Sequence, residues 1–274
     1  MIVVRLIGGL GNQMFQYAMG RAIADRLQVS LKLDTTAFRN DTKRRYELWA
    51  LNIVEELASD AEISDAHSAT QSRLHLRETG LGFDSNALQA PDGAYVDGYW
   101  GSEQYFASIE ERIRAEFSFR GDLRGKDLDI VEQMREGDSI SLHVRRGDMA
   151  NDPHTRNFHG LCTEEYYASC VEHMAKQLEH PRFFVFSDDP EWVRNNLSLG
   201  YPMTVIDHNA GSRSYADMRL MSMCRHHIIA NSTFSWWGAW LNPSADKIVL
   251  MPRRWLSEYT TDDLDVRPPT WVAL

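Results

Sequence analysis

Residues 2–34 read IVVRLIGGLGNQMFQYAMGRAIADRLQVSLKLD, and three local signals follow one another along them. Ile2 to Leu6 is an apolar run of strand length, and Gly8, Gly9 and Gly11 punctuate it. Met14, Tyr17, Ala18, Arg21, Ala22 and Ala24 to Leu27 then carry a helical pattern, after which Val29 to Leu33 resumes strand character and stops at Asp34. Strand, glycine turn, helix and strand form the β-turn-α-β unit that begins an open α/β sheet.

The rest of the chain extends this reading. Strands are predicted over 94–100, 139–144, 182–187, 203–206, 227–230 and 247–251. Helices are predicted near 60–78, from Ser102 to about Phe117, and near 163–179, 190–197, 213–224 and 233–241. Strands alternating with helices of this size imply right-handed crossovers and mainly parallel sheets. Residues 120–138 are rich in glycine and charge and carry no sustained apolar strand, so a boundary is expected there, giving domains 1–130 and 131–274. Two facing α/β domains would place a ligand cleft at the carboxyl ends of their strands.

Composition narrows the function. The 274 residues include 29 Lys plus Arg against 39 Asp plus Glu, a net charge of −10, so the overall field repels polyanions and nucleic acid is not an expected partner. An anionic ligand must be held by local arginines, helix N-termini or a metal. The three cysteines, Cys162, Cys170 and Cys224, have no Cys-x-x-Cys spacing, which fits a reducing compartment. The opening Met1-Ile-Val-Val offers no secretion signal, and the longest stretch without charge, His226 to Ala245, is too polar to span a bilayer.

Four segments carry groups suited to chemistry. The turn of Gly9, Gly11, Asn12 and Gln13 brings backbone N–H groups and a helix N-terminus towards an anion or sugar, or is a plain tight turn. It lacks the third glycine of the dinucleotide fingerprint, although Asp34 lies at a suitable distance. His143, Arg145 and Arg146 end a predicted strand, where a pair of guanidiniums could bind a diphosphate or form a surface ion pair with Asp148. Ser187, Asp188 and Asp189 end another strand. Their carboxylates could hold a metal, move protons or accept from guanine N1–H and N2–H2, or the segment could be an ordinary helix cap followed by Pro190. Asn231, Ser232, Thr233 and Phe234 lead from an apolar strand into a helix whose first N–H groups suit a phosphate. Trp236 and Trp240, four apart, read as core packing. His154, His159 and Cys162 match no standard metal spacing.

In this order, GGLGNQMFQYAMGRAIA (8–24), DGYWGSEQYF (97–106), HVRRGD (143–148), FSDDPEW (186–192) and NSTFSWWGAWLN (231–242) resemble the bacterial alpha-1,2-fucosyltransferases of glycosyltransferase family eleven. The resemblance implies a GT-B fold of two Rossmann-like domains, with the donor in the C-terminal one and the acceptor largely from the N-terminal one. It implies inverting transfer of L-fucose from GDP-β-L-fucose to the 2-OH of a terminal galactose, on an oligosaccharide or lipid-linked glycan of O-antigen or surface polysaccharide biosynthesis. No essential metal and no other cofactor are implied. The expected location is the cytoplasm, peripheral at the inner face of the membrane.

Carried over by the resemblance, His143 and Arg145 are catalytic, with Arg145 on the β-phosphate. Arg146, Ser187, Asp188, Asp189, Asn231, Ser232, Thr233 and Phe234 bind the donor together with Gly9, Gly11, Asn12 and Gln13, and one of the two aspartates reads guanine. Tyr99, Trp100 and Glu103 offer polar and aromatic groups to the acceptor. The alternatives are a fucosyltransferase of another linkage, such as alpha-1,6, a nucleotide-dependent oxidoreductase, or a sugar-binding module without catalysis.

Overall fold

The computed structural model describes residues 1–66, 74–147, 152–209 and 211–274. The chain divides into two compact units: Met1–Arg120 with Asp263–Val266, and Gly121–Asp262 with Arg267–Leu274.

In the first unit, β1 (Ile2–Arg5), α1 (Leu10–Leu27) and β2 (Leu31–Asp34) realise the expected opening. α2 (Asp60–Ala66), β3 (His75–Arg77), β4 (Tyr95–Asp97) and α3 (Glu110–Glu116) follow. The four strands form a parallel sheet in the order β2-β1-β4-β3, with Arg5 level with Asp34 and Val3 level with Tyr95. α1 is buried along almost its whole length, so its polar residues find partners inside the protein. Gln16 Oε1 accepts the Ile7 N–H at 2.9 Å, and Tyr17 donates to Glu116 at 2.7 Å.

Two sequence expectations change here. The helix expected over 60–78 ends at Ala66 in the described residues, residues 67–73 lie outside them, and 75–77 are strand because they pair with Tyr95–Asp97. The helix expected from Ser102 to Phe117 is two 3-10 turns, Glu103–Tyr105 and Ala107–Ile109, before α3. Phe106 and Ile109 lie at φ −127° and −126°, away from helical values, and these breaks let Tyr105 and Phe106 both point into the core.

The second unit contains α4 (Lys126–Met134), β5 (Asp138–Val144), α5 (Pro153–His159), α6 (Glu164–Ala175), β6 (Pro181–Ser187) and α7 (Pro190–Asn196). β7 (Met203–Ile206), α8 (Ser214–Met223), β8 (His226–Ile228), α9 (Thr233–Leu241), β9 (Val249–Met251) and β10 (Val272–Ala273) complete it. Its strands are all parallel, in the order β10-β9-β8-β5-β6-β7. Both faces of the central strands are covered: Ile140, Leu142, Val144 and Val185 pack with Tyr167, Val171 and Met174 of α6, and Phe184 and Phe186 pack with Ile130, Met134, Leu220 and Met221. Burial on both faces is why these strands read as continuous apolar runs. The division falls after Arg120, ahead of residue 130, because α4 puts Ile130 and Met134 against α8. α4 lies inside the charged stretch 120–138, where the sequence predicts a boundary. Residues 263–266 also return to the first unit, where Asp265 accepts the Phe83 N–H at 2.9 Å.

Candidate functional site

β5 and β6 pair in register from Asp138 with Pro181 to Val144 with Ser187, so their carboxyl ends are level. Ser187 Oγ donates to the Val144 carbonyl at 2.8 Å and accepts the Asp189 N–H at 3.0 Å, which ties the two loops together. Asp188 then spends both oxygens on the neighbouring loop. Oδ2 lies 2.7 Å from Arg145 Nη1, and Oδ1 accepts the Arg146 N–H at 2.8 Å. A Cβ at position 147 would overlap Asp188 Oδ2, so Gly147 is what lets the loop close on the carboxylate. Asp148, the ion-pair partner considered for the arginines, lies outside the described residues.

The second arginine is anchored differently. Its guanidinium carbon sits 3.9 Å from the centre of the Trp192 ring, a cation–π contact, and its Nε is buried with no hydrogen-bond partner among the described residues. Trp192 is placed by α7, whose first turn is capped by Asp189 through the Trp192 N–H at 3.0 Å. Asp189 is thus the helix cap weighed against a ligand role, and Asp188 is the residue that holds Arg145.

His143 precedes this pair on β5. It is almost fully buried, 5.9 Å from the Phe234 ring of α9, and its carbonyl accepts from Tyr167 at 3.2 Å. Burial and the Arg145 charge push its pKa down to about 3, so it is neutral at physiological pH and poorly matched to proton transfer there. Asn231 is spent inside the protein. Its Nδ2 donates to the His159 carbonyl at 2.8 Å and the Trp255 carbonyl at 3.3 Å, and its Oδ1 accepts from Cys162 at 3.5 Å. The sequence expectation of a ligand contact at Asn231 gives way to this knot. Ser232 stands at the N-cap of α9 without capping it through its side chain, and its carbonyl accepts the Trp236 N–H at 3.0 Å. Thr233 and Phe234 form the first turn.

The first unit carries the glycine turn. Gly8 adopts φ +76°, and Asn12 packs so closely beneath it that a Cβ at 8 would lie 2.5 Å from Asn12 Nδ2. Gly9 is the N-cap of α1, and Gly11 lies in its first turn. Gln13 is fully buried. It donates to the Gly8 carbonyl at 2.9 Å and the Arg45 carbonyl at 2.8 Å and accepts the Glu47 N–H at 2.8 Å, so it staples the 45–47 loop to the turn rather than offering an amide to a ligand. Asp34, the acid that favoured a dinucleotide, is likewise consumed by Thr36 and by the Tyr95 hydroxyl at 2.5 Å. Of the acceptor candidates, Tyr99 is exposed and Trp100 is buried.

The profile described as glycosyl transferase family 11 matches residues 1–274. The chain belongs to that family. Among relatives of this family 11 chain, an alpha-1,2-colitosyltransferase of Escherichia coli is 32% identical, the match covering 100% of this chain and 98% of the relative. The O-antigen biosynthesis glycosyltransferase WbnK of Escherichia coli is 33% identical, over 98% of this chain and 99% of its own. A galactoside alpha-(1,2)-fucosyltransferase 1 of Saimiri boliviensis boliviensis is 29% identical over 53% of this chain and 42% of that protein. Among solved structures, NodZ alpha-1,6-fucosyltransferase soaked with GDP-fucose gives a TM-score of 0.54 at 15% identity, covering 88% of this chain and 92% of that one. The fold is of the GT-B type, with two Rossmann-like units built on parallel sheets. An oxidoreductase is set aside, since family membership and the engagement of Asp34 both oppose it.

One part of the family 11 chain escaped sequence reading. Asp127 of α4 is buried and accepts from His208 at 2.9 Å, Asn209 at 2.7 Å and Arg213 at 2.9 Å. Asn209 Nδ2 also reaches Asp217 at 3.0 Å, while its Oδ1 is buried with no partner among the described residues. Burial raises the Asp217 carboxyl to about 7, and the Asp127 charge adds to the shift. These residues come from the start of α4, the loop after β7 and the start of α8, with no shared spacing that a reader of the sequence could have used. Among the described residues, no group of three His, Cys, Asp or Glu is placed to hold a metal ion, and no helix is long and apolar enough to cross a membrane.

Proposed function

We propose that this chain transfers L-fucose from GDP-β-L-fucose to O2 of a terminal galactose on a glycan, with inversion at C1 and without an essential metal. The observation that carries the reading is Arg145, fixed by Asp188 at the carboxyl end of β5 in a family 11 chain. Breaking the bond from C1 to the phosphate oxygen puts positive charge on the sugar and negative charge on the departing GDP. A pre-set guanidinium and the N-terminus of α9 stabilise that charge more in the transition state than in the ground state. Arg145 is the phosphate ligand in this reading, Asp188 positions it, and Trp192 keeps Arg146 beside it. The printed names of the relatives support the alpha-1,2 linkage, and the Saimiri protein's name supports a galactoside acceptor.

With Asp188 and Asp189 committed, guanine recognition falls to Asp217 and Asn209. Asp217 Oδ1 accepts from Asn209 Nδ2 at 3.0 Å, and the buried Asn209 Oδ1 has no hydrogen-bond partner among the described residues. His143 contributes a neutral wall beside Phe234 rather than a base, since a strongly oxocarbenium-like centre needs little help in deprotonating the acceptor hydroxyl.

A second donor follows from the full-length colitosyltransferase relative, because colitose is L-fucose without its 3-hydroxyl. Turnover of GDP-fucose, GDP-colitose and UDP-galactose, each in excess EDTA, tests the reading. GDP-fucose is expected to give the highest kcat/KM and UDP-galactose none. Preference for GDP-colitose would replace the sugar, and loss of turnover in EDTA would restore a metal.

A further inference from the structure

Side chains of the second unit converge on the buried carboxylate of Asp127, in the first turn of α4. Its Oδ1 accepts from His208 Nε2 at 2.9 Å and from Asn209 Nδ2 at 2.7 Å, and its Oδ2 accepts from Arg213 Nη2 at 2.9 Å. Asn209 Nδ2 also donates to Asp217 Oδ1 at 3.0 Å, so one amide joins both acids. His208 and Asn209 follow β7, and Arg213 is the N-cap residue of α8. The cluster therefore stands beyond the carboxyl end of a parallel strand, the edge where α/β sheets bind ligands.

Within the cluster, Arg213 is the cation that solvent reaches. Its side chain is 53% exposed, against 15% for His208 and 2% for Asp127. Among the described residues, Asp127 is the only acceptor on the Arg213 guanidinium, and it engages one Nη group. The other N–H groups of the planar fork stay available to a ligand.

The buried carboxylate acts on that fork in two ways. It holds the guanidinium in one orientation, and at 2.9 Å it offsets most of the charge that a phosphate would draw on. What remains is a directional pair of donors, which suits neutral acceptors. Guanine offers two side by side, O6 and N7, and arginine donates to them bidentately in the commonest specific contact to that base. Adenine carries an N6–H2 donor where guanine has O6, so the same fork opposes it. Asp217 is close enough to feel Arg213, whose charge works against the burial and the Asp127 charge that raise its carboxyl to about 7. An acid for N1–H and N2–H2 and a fork for O6 and N7 would together read two adjoining edges of one base.

We propose that Arg213, held by Asp127, is a specificity-determining residue for the donor base and donates to guanine O6 and N7. This deepens the GDP-fucose reading and rests on it.

Calorimetric titration of the full chain with GDP, 7-deaza-GDP and inosine diphosphate tests the proposal without any transfer step. 7-deaza-GDP lacks N7 and reports on the Arg213 edge, whereas inosine diphosphate lacks the 2-amino group and reports on the Asp217 edge. The wild type is expected to bind GDP about fivefold more tightly than 7-deaza-GDP, the worth of one hydrogen bond. Arg213→Met keeps an exposed side chain of similar length without its donors. It should bind GDP at least about tenfold more weakly than the wild type does, bind 7-deaza-GDP as well as GDP, and retain the preference for GDP over inosine diphosphate. Arg213→Lys, which keeps the charge and loses the fork, should also fail to distinguish GDP from 7-deaza-GDP. Urea midpoints equal to the wild type's show that both variants are folded. Undiminished GDP binding by Arg213→Met, or a preference over 7-deaza-GDP that survives in it, overturns the proposal and leaves the donor reading standing. An equal loss for all three nucleotides, or full recovery in Arg213→Lys, overturns it too, in favour of a structural role or a phosphate contact. No binding of GDP by the wild type contradicts the donor reading itself, and the proposal with it.

Discussion

Asp188 commits one oxygen to the Arg145 guanidinium at 2.7 Å and the other to the Arg146 N–H at 2.8 Å, so in the proposed reading it positions Arg145. Arg145→Ala should therefore lower kcat/KM by about 10²–10³ and leave the urea midpoint unchanged. A folded variant with native kcat/KM would remove Arg145 from the chemistry. Asp188→Asn, which keeps an acceptor but loses the charge, should give a smaller loss confined largely to kcat. The sequence showed that carboxylates and arginines meet at strand ends, but not which carboxylate was free, because that depends on the level pairing of β5 with β6. Buried titratable groups set the response to pH. His227 is fixed neutral, with Ser141 Oγ 2.8 Å from Nδ1 and the Asn242 amide donating to Nε2 at 2.8 Å, and burial holds its pKa well below the usual value. His143 behaves alike. As pH falls below 6.5 the unfolded chain binds protons that these folded imidazoles refuse, so stability is lost at about 1.4 kcal/mol per pH unit per group. For His143 the loss ends near its folded pKa of about 3. Asp217 has the opposite sign: raised from 3.8 to about 7, it binds its proton earlier in the folded state and gains stability on acidification across that window. Asp217→Asn should thus stabilise the protein at pH 8 and steepen its loss of stability between pH 7 and 5. Urea midpoints across that range check both, and a flatter profile in the variant would contradict the assignment.

α9 shows how an element positions the site and where sequence reading succeeds. Its tryptophans form a buried stack, Trp236 and Trp240 lying 6.3 Å apart and nearly parallel, with Trp271 5.3 Å from Trp236. The four-residue spacing was enough to foresee this. β5 and β6 were equally legible, as apolar runs buried on both faces. α4 was not, since its buried face rests on few residues, chiefly Ile130 and Met134, in a charged stretch. The 102–117 segment misled because its apolar spacing reports a buried face and not the breaks at Phe106 and Ile109. α9 also meets α8 closely: a Cβ at Gly238 would lie 2.9 Å from Met221 Cβ and 3.0 Å from its sulfur. Gly238→Ala should cost roughly 1–3 kcal/mol through overpacking, despite the better helix propensity of alanine. A urea midpoint equal to or above the wild type's would show that the helices part without strain.

For the molecule as a whole, a net charge of −10 means that the proposed anionic donor would have to be held by local cations and helix N-termini. On the proposed reading, Arg145, Arg146 and the start of α9 supply them within the second unit. With the leaving group neutralised by the protein, a single displacement at C1 is the simplest path, and it converts a β donor into an α product. On the proposed reading GDP-β-L-fucose is the donor and one inversion sets the linkage. It is tested most directly by NMR of the product isolated after reaction of the full chain with GDP-β-L-fucose and a β-galactoside in excess EDTA. The expected product is an α-L-fucoside on O2 of galactose, whereas a β-fucoside, or no product from that donor, would contradict the account.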